Sequence, residues 1–455
     1  MKKIRAIRRN VFILFLTFAV MLSSTGVLYA QENLTAGEQS GGDNAAEEMS
    51  KEHEEEYDQI VFEELENVNE EELDEIEQAI SETEVNNEAA TSDANALVDI
   101  SAVAAVLMEG STGEIIYAKN ETKELRPASI TKIMTLLLIF EAIDRGQISL
   151  TDIVSVSEHA ASMGGSQVYL EPSETQDVNT MIKCISIASA NDASVAMAEF
   201  IAGSEEAFVK MMNERAAELG MANTHFVNCY GLDTDGHYTS ALDVAKMSRE
   251  LIMNYPQISN YSTVWMDTII HTTRKGQTEF GLTNTNKLIK SYQGITGLKT
   301  GSTGLAKYCL SATARRDDMD LIAVIMAAPD PKLRFGEAAK LLNYGFANCT
   351  IYKDDGADIT MPIVKVKKGI VEELKVKVEG TFSHLCTKGV VPSEITREVT
   401  MNEFVTAPVK ENDTVGYVTY YYNGTELGKI GVVAAENVRE ANFADYFSRL
   451  LEKYF

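Results

Sequence analysis

Three short motifs follow one another along this 455-residue chain: Ser129-Ile130-Thr131-Lys132, then Ser189-Ala190-Asn191, then Lys299-Thr300-Gly301. Each alone is short enough to arise by chance. Together they constrain the fold, because three distant segments must converge on one cleft for the set to have any chemistry. Pro127 pre-sets a helical φ, and the run Ile133 to Phe140, polar only at Thr135, predicts a buried helix starting at the first motif. Ser129 then sits at a helix N-terminus, with Lys132 one turn further on the same face. Apolar surroundings desolvate an ammonium and lower its pKa, so a neutral Lys132 can take the proton of an otherwise poor serine nucleophile. The pattern implies serine acyl transfer without histidine.

Ser189 and Asn191 head another helical stretch. A hydroxyl at Ser189 can relay a proton to a leaving amine, and the Asn191 amide can hold a peptide backbone or orient Lys132. Alone, Ser-Ala-Asn reads as a helix cap. Lys299-Thr300-Gly301 falls on a predicted strand, with Lys299 and Gly301 on one side and Thr300 on the other. Gly301 lets substrate lie against the strand, whose backbone can pair with an extended peptide. Lys299 offers charge to a carboxylate and, by like-charge repulsion, keeps Lys132 deprotonated.

Charge is unevenly spread. Of the net −28, residues 1–30 carry +5, whereas residues 31–95 hold 23 acidic residues against Lys51 alone. This excess repels phosphate, and no basic patch offsets it, so nucleic-acid binding is excluded. Lys2, Lys3, Arg5, Arg8 and Arg9 precede the apolar run Val11 to Leu22, and small residues lead to Ala30: a secretory signal peptide, the alternative being a retained anchor. Export places the mature chain outside the cytoplasm. Five scattered cysteines without a CxxC pair, and six histidines without an HExxH pair, indicate no disulfide framework, metal site or cofactor.

The expected organisation is a signal peptide over 1–30, a disordered acidic spacer over 31–96, a catalytic domain over 97–348, a small β-sandwich-like domain over 355–436 and an amphipathic helix over 437–455. In the catalytic part, Val103 to Met108 and Glu114 to Tyr117 flank a turn. Helical periods include Val178 to Gly203 and Glu205 to Leu219. Strands follow at Gly297 to Gly301, Ala306 to Ala314 and Leu321 to Ala328, with a closing helix from Lys332 to Tyr344. This is an α/β fold whose sheet is assembled from both chain ends. Asn423-Gly424 marks a hairpin in the all-β part. In the tail Phe443, Tyr446, Phe447, Leu450, Leu451 and Tyr454 form one stripe, placed either on a membrane surface or against the β domain.

With these residues in view, the chain resembles the low-molecular-mass penicillin-binding proteins, the serine-type D-alanyl-D-alanine carboxypeptidases. Arg126 to Lys132, Gly164 to Leu170, Phe226 to Leu232 and His237 to Asp243 look like that family's pattern. The resemblance implies a β-lactamase/DD-peptidase-like catalytic domain, an antiparallel sheet with flanking helices, followed by a small all-β domain and an amphipathic helix. It implies Ser129 as nucleophile, Lys132 as proton acceptor and Ser189 as third catalytic group. Asn191, Lys299, Thr300 and Gly301 would bind substrate, and the N–H groups of Ser129 and Ser302 would form the oxyanion hole. Stem peptides of peptidoglycan ending in D-Ala-D-Ala are the implied substrate, and beta-lactams the implied inhibitors. A β-lactamase, a DD-transpeptidase or endopeptidase, and a wall-binding scaffold with a vestigial pocket are the alternatives.

Overall fold

The computed structural model describes residues 98–454 apart from Lys388. The expected signal peptide and acidic spacer lie outside the described residues. The chain opens with β1 (Ala104–Glu109) and β2 (Ile115–Lys119). Five main helices follow: α1 (Lys132–Asp144), α2 (Val178–Ser186), α3 (Asn191–Ala202), α4 (Glu205–Glu218) and α5 (Ala241–Asn254). Next come a hairpin, β3 (Met266–Thr273) and β4 (Gly276–Thr283), then β5 (Ile295–Thr303), β6 (Lys307–Arg316), β7 (Met319–Ala328) and α6 (Pro331–Asn348).

The central sheet runs β2-β1-β7-β6-β5, antiparallel throughout, so strands from both chain ends pair directly. Successive side chains of a strand leave opposite faces, and the cores divide accordingly. Val106, Met108, Ile322, Val324 and Met326 enter the helical core with α1 and α5. Leu107, Leu321, Ala323 and Ile325 meet Phe335, Ala338, Leu341 and Leu342 of α6 on the other side. Helix α1 is buried from Lys132 through Ala142, as an unbroken apolar run demands.

The helical period over Val178 to Gly203 resolves into two helices. Ser189 takes φ +60° and Ala190 is extended, so the chain cannot continue α2 and restarts as α3 at Asn191. Hairpin β3–β4 has no counterpart in the sequence expectations; its burial alternates imperfectly, with most of β4 exposed.

Among the described residues beyond 350 the chain forms strands of two to ten residues, one 3-10 turn and a terminal helix. Strands Thr414–Tyr422 and Thr425–Ala434 pair across Asn423-Gly424, both at positive φ, the geometry a two-residue hairpin turn requires. Their inner faces close a third core around Val418, Tyr420 and Val432. Helix α7 (Phe443–Tyr454) ends the chain. Among the described residues no helix is long and apolar enough to cross a membrane.

Candidate active site

The first motif enters as a buried 3-10 turn, Ala128–Thr131, and the α-helix begins only at Lys132. Ser129 thus precedes α1 by one tight turn instead of opening it, a correction to the expected start at the motif. Two glycines hem this turn. A Cβ on Gly231, itself at φ +101°, would fall 1.9 Å from Ala128 O, and one on Gly301 would fall 2.9 Å from the backbone nitrogens of Ser129 and Ile130. No side chain fits at either place.

Lys132 is fully buried. Its Nζ lies 3.0 Å from Ser129 Oγ, 2.6 Å from Asn191 Oδ1 and 2.7 Å from Tyr230 O. Burial first, and then the like charge of Lys299, hold this amine well below the ordinary lysine pKa. Asn191 also donates from Nδ2 to Gly164 O at 2.7 Å, and its backbone N–H donates to Ser166 O at 2.7 Å, tying the loop before α2 to the start of α3. The break at Ser189 brings its side chain to the same cleft, where its hydroxyl has no hydrogen-bond partner among the described residues. Strand β5 is the sheet edge and supplies Thr300, Gly301 and Ser302 to the lining. Lys299 is buried behind them, its Nζ donating to Thr300 O at 3.1 Å.

Some neighbours of this cleft escape the motif reading. Arg334 of α6 is buried, its guanidinium over the Phe335 ring at 4.7 Å and its Nη1 donating to Gly301 O at 3.4 Å. A signal exists: Arg334 stands four residues before Ala338 and seven before Leu341, on the buried stripe of its helix. Thr285 shares a hydrogen bond with Thr300 through their hydroxyls, and nothing in its sequence context announces that. His237 accepts from Val227 N–H at Nδ1 (2.9 Å), which leaves Nε2–H to donate to Thr131 Oγ1 (2.8 Å). Burial, then the charge of Arg126, pushes its pKa down to about 3. It is therefore a neutral brace for the Ser129 turn.

The family model described as D-alanyl-D-alanine carboxypeptidase matches residues 87–330. D-alanyl-D-alanine carboxypeptidase DacF of Bacillus subtilis is 44% identical over 350 residues, covering 77% of this chain and 89% of that relative. The chain belongs to the D-alanyl-D-alanine carboxypeptidase family. Residues 350–440 match the model described as the C-terminal domain of penicillin-binding protein 5. The structure of penicillin binding protein 5 from Haemophilus influenzae superposes with a TM-score of 0.64 at 30% identity, over 75% of this chain and 98% of that one. A Streptomyces K15 DD-transpeptidase variant superposes with a TM-score of 0.51 at 28% identity, over 55% of this chain and 99% of that one. As a serine-type D-Ala-D-Ala carboxypeptidase, this family member is a hydrolase with the expected α/β catalytic fold and all-β companion. Among its described residues no cluster of His, Cys, Asp and Glu is arranged to hold a metal ion.

Proposed function

We propose that the chain removes the terminal D-Ala of peptidoglycan stem peptides through an acyl-enzyme on Ser129. The observation that carries this reading is the buried Lys132 amine 3.0 Å from the Ser129 hydroxyl. In neutral form the amine donates its two N–H groups to Asn191 Oδ1 and Tyr230 O, which leaves its lone pair for the serine proton. Ser129 Oγ bonds to the penultimate D-Ala carbonyl carbon as that proton passes to Lys132 Nζ. The N–H groups of Ser129 and Ser302 hold the developing oxyanion. The C–N bond then breaks, and the Ser189 hydroxyl passes the proton on from Lys132 to the departing nitrogen. Water then bonds to the ester carbonyl carbon as its proton passes to Lys132, the C–O bond to Ser129 breaks, and Lys132 returns that proton to Ser129 Oγ.

Lys299 and Thr300 receive the substrate carboxylate, and Gly301 admits the peptide to the strand edge. Asn191 has given its carbonyl to Lys132 and one N–H to Gly164, so one N–H remains for a substrate carbonyl. A beta-lactam amide meets the same attack and stays as an adduct. Intact-protein mass spectrometry after brief penicillin exposure, with D-Ala release measured in parallel, tests the reading. Folded protein without an adduct on Ser129 would overturn it.

The enzyme works outside the cytoplasm, exported by residues 1–30, with domain limits 97–348 and 355–436. It meets the membrane through α7. Phe443 is 86% exposed, and Phe447 and Leu450 are more than half exposed. The contacts of α7 with the rest of the chain run through its other face, from Arg449 to Gly369 O and from Asp445 to Arg439. This orientation favours the membrane surface over packing against the β domain.

A further inference from the structure

In acyl transfer Tyr230 O must accept one of the two N–H groups of a neutral Lys132, 2.7 Å away, and a backbone carbonyl holds that aim only if its peptide plane is fixed. The plane between Tyr230 and Gly231 is set by two torsions, and one of them belongs to a glycine at φ +101°, whose missing Cβ removes the usual steric preference. Something else must set it. Asn228, a buried residue, is placed to do so: its Oδ1 accepts from Gly231 N–H at 2.6 Å and from Tyr230 N–H at 3.3 Å, and its Nδ2 donates to Leu232 O at 2.9 Å. Two N–H groups on one side and a carbonyl on the other leave the amide one orientation. The chain is also pinned just before this peptide, since Cys229 N–H donates to Glu205 Oε1 at 3.2 Å and Cys229 O accepts from Thr135 Oγ1 at 2.5 Å. Thr135, the polar exception in the apolar run of α1, stands one turn past Lys132, so the helix that carries the amine also grips the loop that holds it.

We infer that Asn228 is a positioning residue for the proton acceptor: by fixing the Tyr230–Gly231 peptide it aims the Tyr230 carbonyl at Lys132 Nζ and so keeps the amine's lone pair on Ser129 Oγ. This rests on the acyl-enzyme reading above. The peptide is one conjugated unit, with its N–H donated to Asn228 at one edge and its oxygen accepting from Lys132 at the other. An acceptor on the N–H side pushes electron density toward the carbonyl oxygen, so each bond strengthens the next. Asn191 Oδ1 takes the second N–H of the amine directly, at 2.6 Å. One side-chain amide thus acts on Lys132 by contact and the other through a peptide bond, and between them the nitrogen keeps a single unbonded direction, toward Ser129. Lys132 also faces the charge of Lys299 and the side chains of Cys229 and Asp192.

The test follows the rate of penicillin acylation against pH in the full chain and in its Asn228→Ala and Asn228→Asp variants. In Asn228→Ala the Tyr230 carbonyl is free to turn from the amine, and the plateau rate is expected to fall about tenfold. A carbonyl acceptor favours ammonium over amine, so its loss should also move the acid limb to lower pH. Asn228→Asp keeps an acceptor for both N–H groups and adds a negative charge that favours ammonium, so its limb should move the other way, to higher pH, with a smaller loss of plateau. In Asn228→Ala an unchanged plateau, or a lowered one with the limb unmoved, would overturn the role, the second because a mere loss of folded protein scales the rate without shifting it. A limb moved to higher pH in that variant would overturn it too, since water entering around Lys132 has that effect. No Ser129 adduct in the wild type would sink the acyl-enzyme reading and this role with it, whereas the other three results strike this role alone.

Discussion

The cleft and the C-terminal helix break the same solvation rule in opposite directions. Lys132 is a lysine with no exposure at all, and Phe443 is an aromatic at 86% exposure. The first departure is resolved inside the molecule: Asn191 Oδ1 and Tyr230 O accept from the amine, and burial together with Lys299 favours its neutral form. The second is not resolved by anything in the described chain, since α7 spends its polar face on Arg439 and Gly369. A buried amine with internal partners marks a candidate for chemistry, and an apolar stripe turned away from its own domain marks a surface supplied from outside.

The sharpest way to break this comparison is Ser129→Ala. D-Ala release should fall by about four orders of magnitude and the penicillin adduct should vanish, with the circular dichroism spectrum kept. Truncation after Val438 acts at the other pole. Membrane fractionation should move the protein to the soluble fraction, while release of D-Ala from a small peptide stays within about twofold; retained membrane association would show that α7 is not the contact.

Lys299→Gln sharpens the electrostatic half. Lys132 must be neutral to accept the serine proton, so acylation falls as pH drops through its pKa. Removing the like charge of Lys299 lets that pKa climb back toward the ordinary lysine value. The acid limb of the penicillin acylation rate should therefore move to higher pH, and an unmoved limb would mean that desolvation acts alone. The smallest effect concerns His237, whose pKa lies near 3. Its ring resonances should not titrate between about pH 5 and about pH 8 in NMR spectra, and a titration in that range would show that the ring is not held neutral.

Much of the site was legible because its spacing is local. Ser129 and Lys132 lie one helical turn apart, so their meeting needs nothing from the rest of the fold. Lys299, Thr300 and Gly301 are consecutive on one strand, which places them at the same edge, although the period of two alone separates Thr300 from Gly301, whereas both line the cleft and Lys299 lies buried behind them. The break at Ser189 was hidden, since Val178 to Gly203 keeps a helical period straight through it and only the backbone at Ser189 and Ala190 departs. Arg334 announced itself weakly, as a cation on an apolar stripe. Thr285, Tyr230 and the aromatic pair lining the cleft gave no local sign, because a backbone carbonyl carries no sequence signature and Tyr169 meets Phe280 only through tertiary packing.

Residue order alone determined the serine at 129 with an amine one turn away, the strand carrying Lys299 to Gly301 and the amphipathic character of the last helix, since each follows from periodicity within a few residues. Tertiary structure decided what those groups experience. It buried Lys132 beside Asn191, Tyr230 and Lys299, set Tyr169 against Phe280 at one end of the cleft, and turned the apolar face of α7 away from its own domain. Desolvation and long-range packing are properties of the assembled core, and no stretch of chain carries them before its partners arrive.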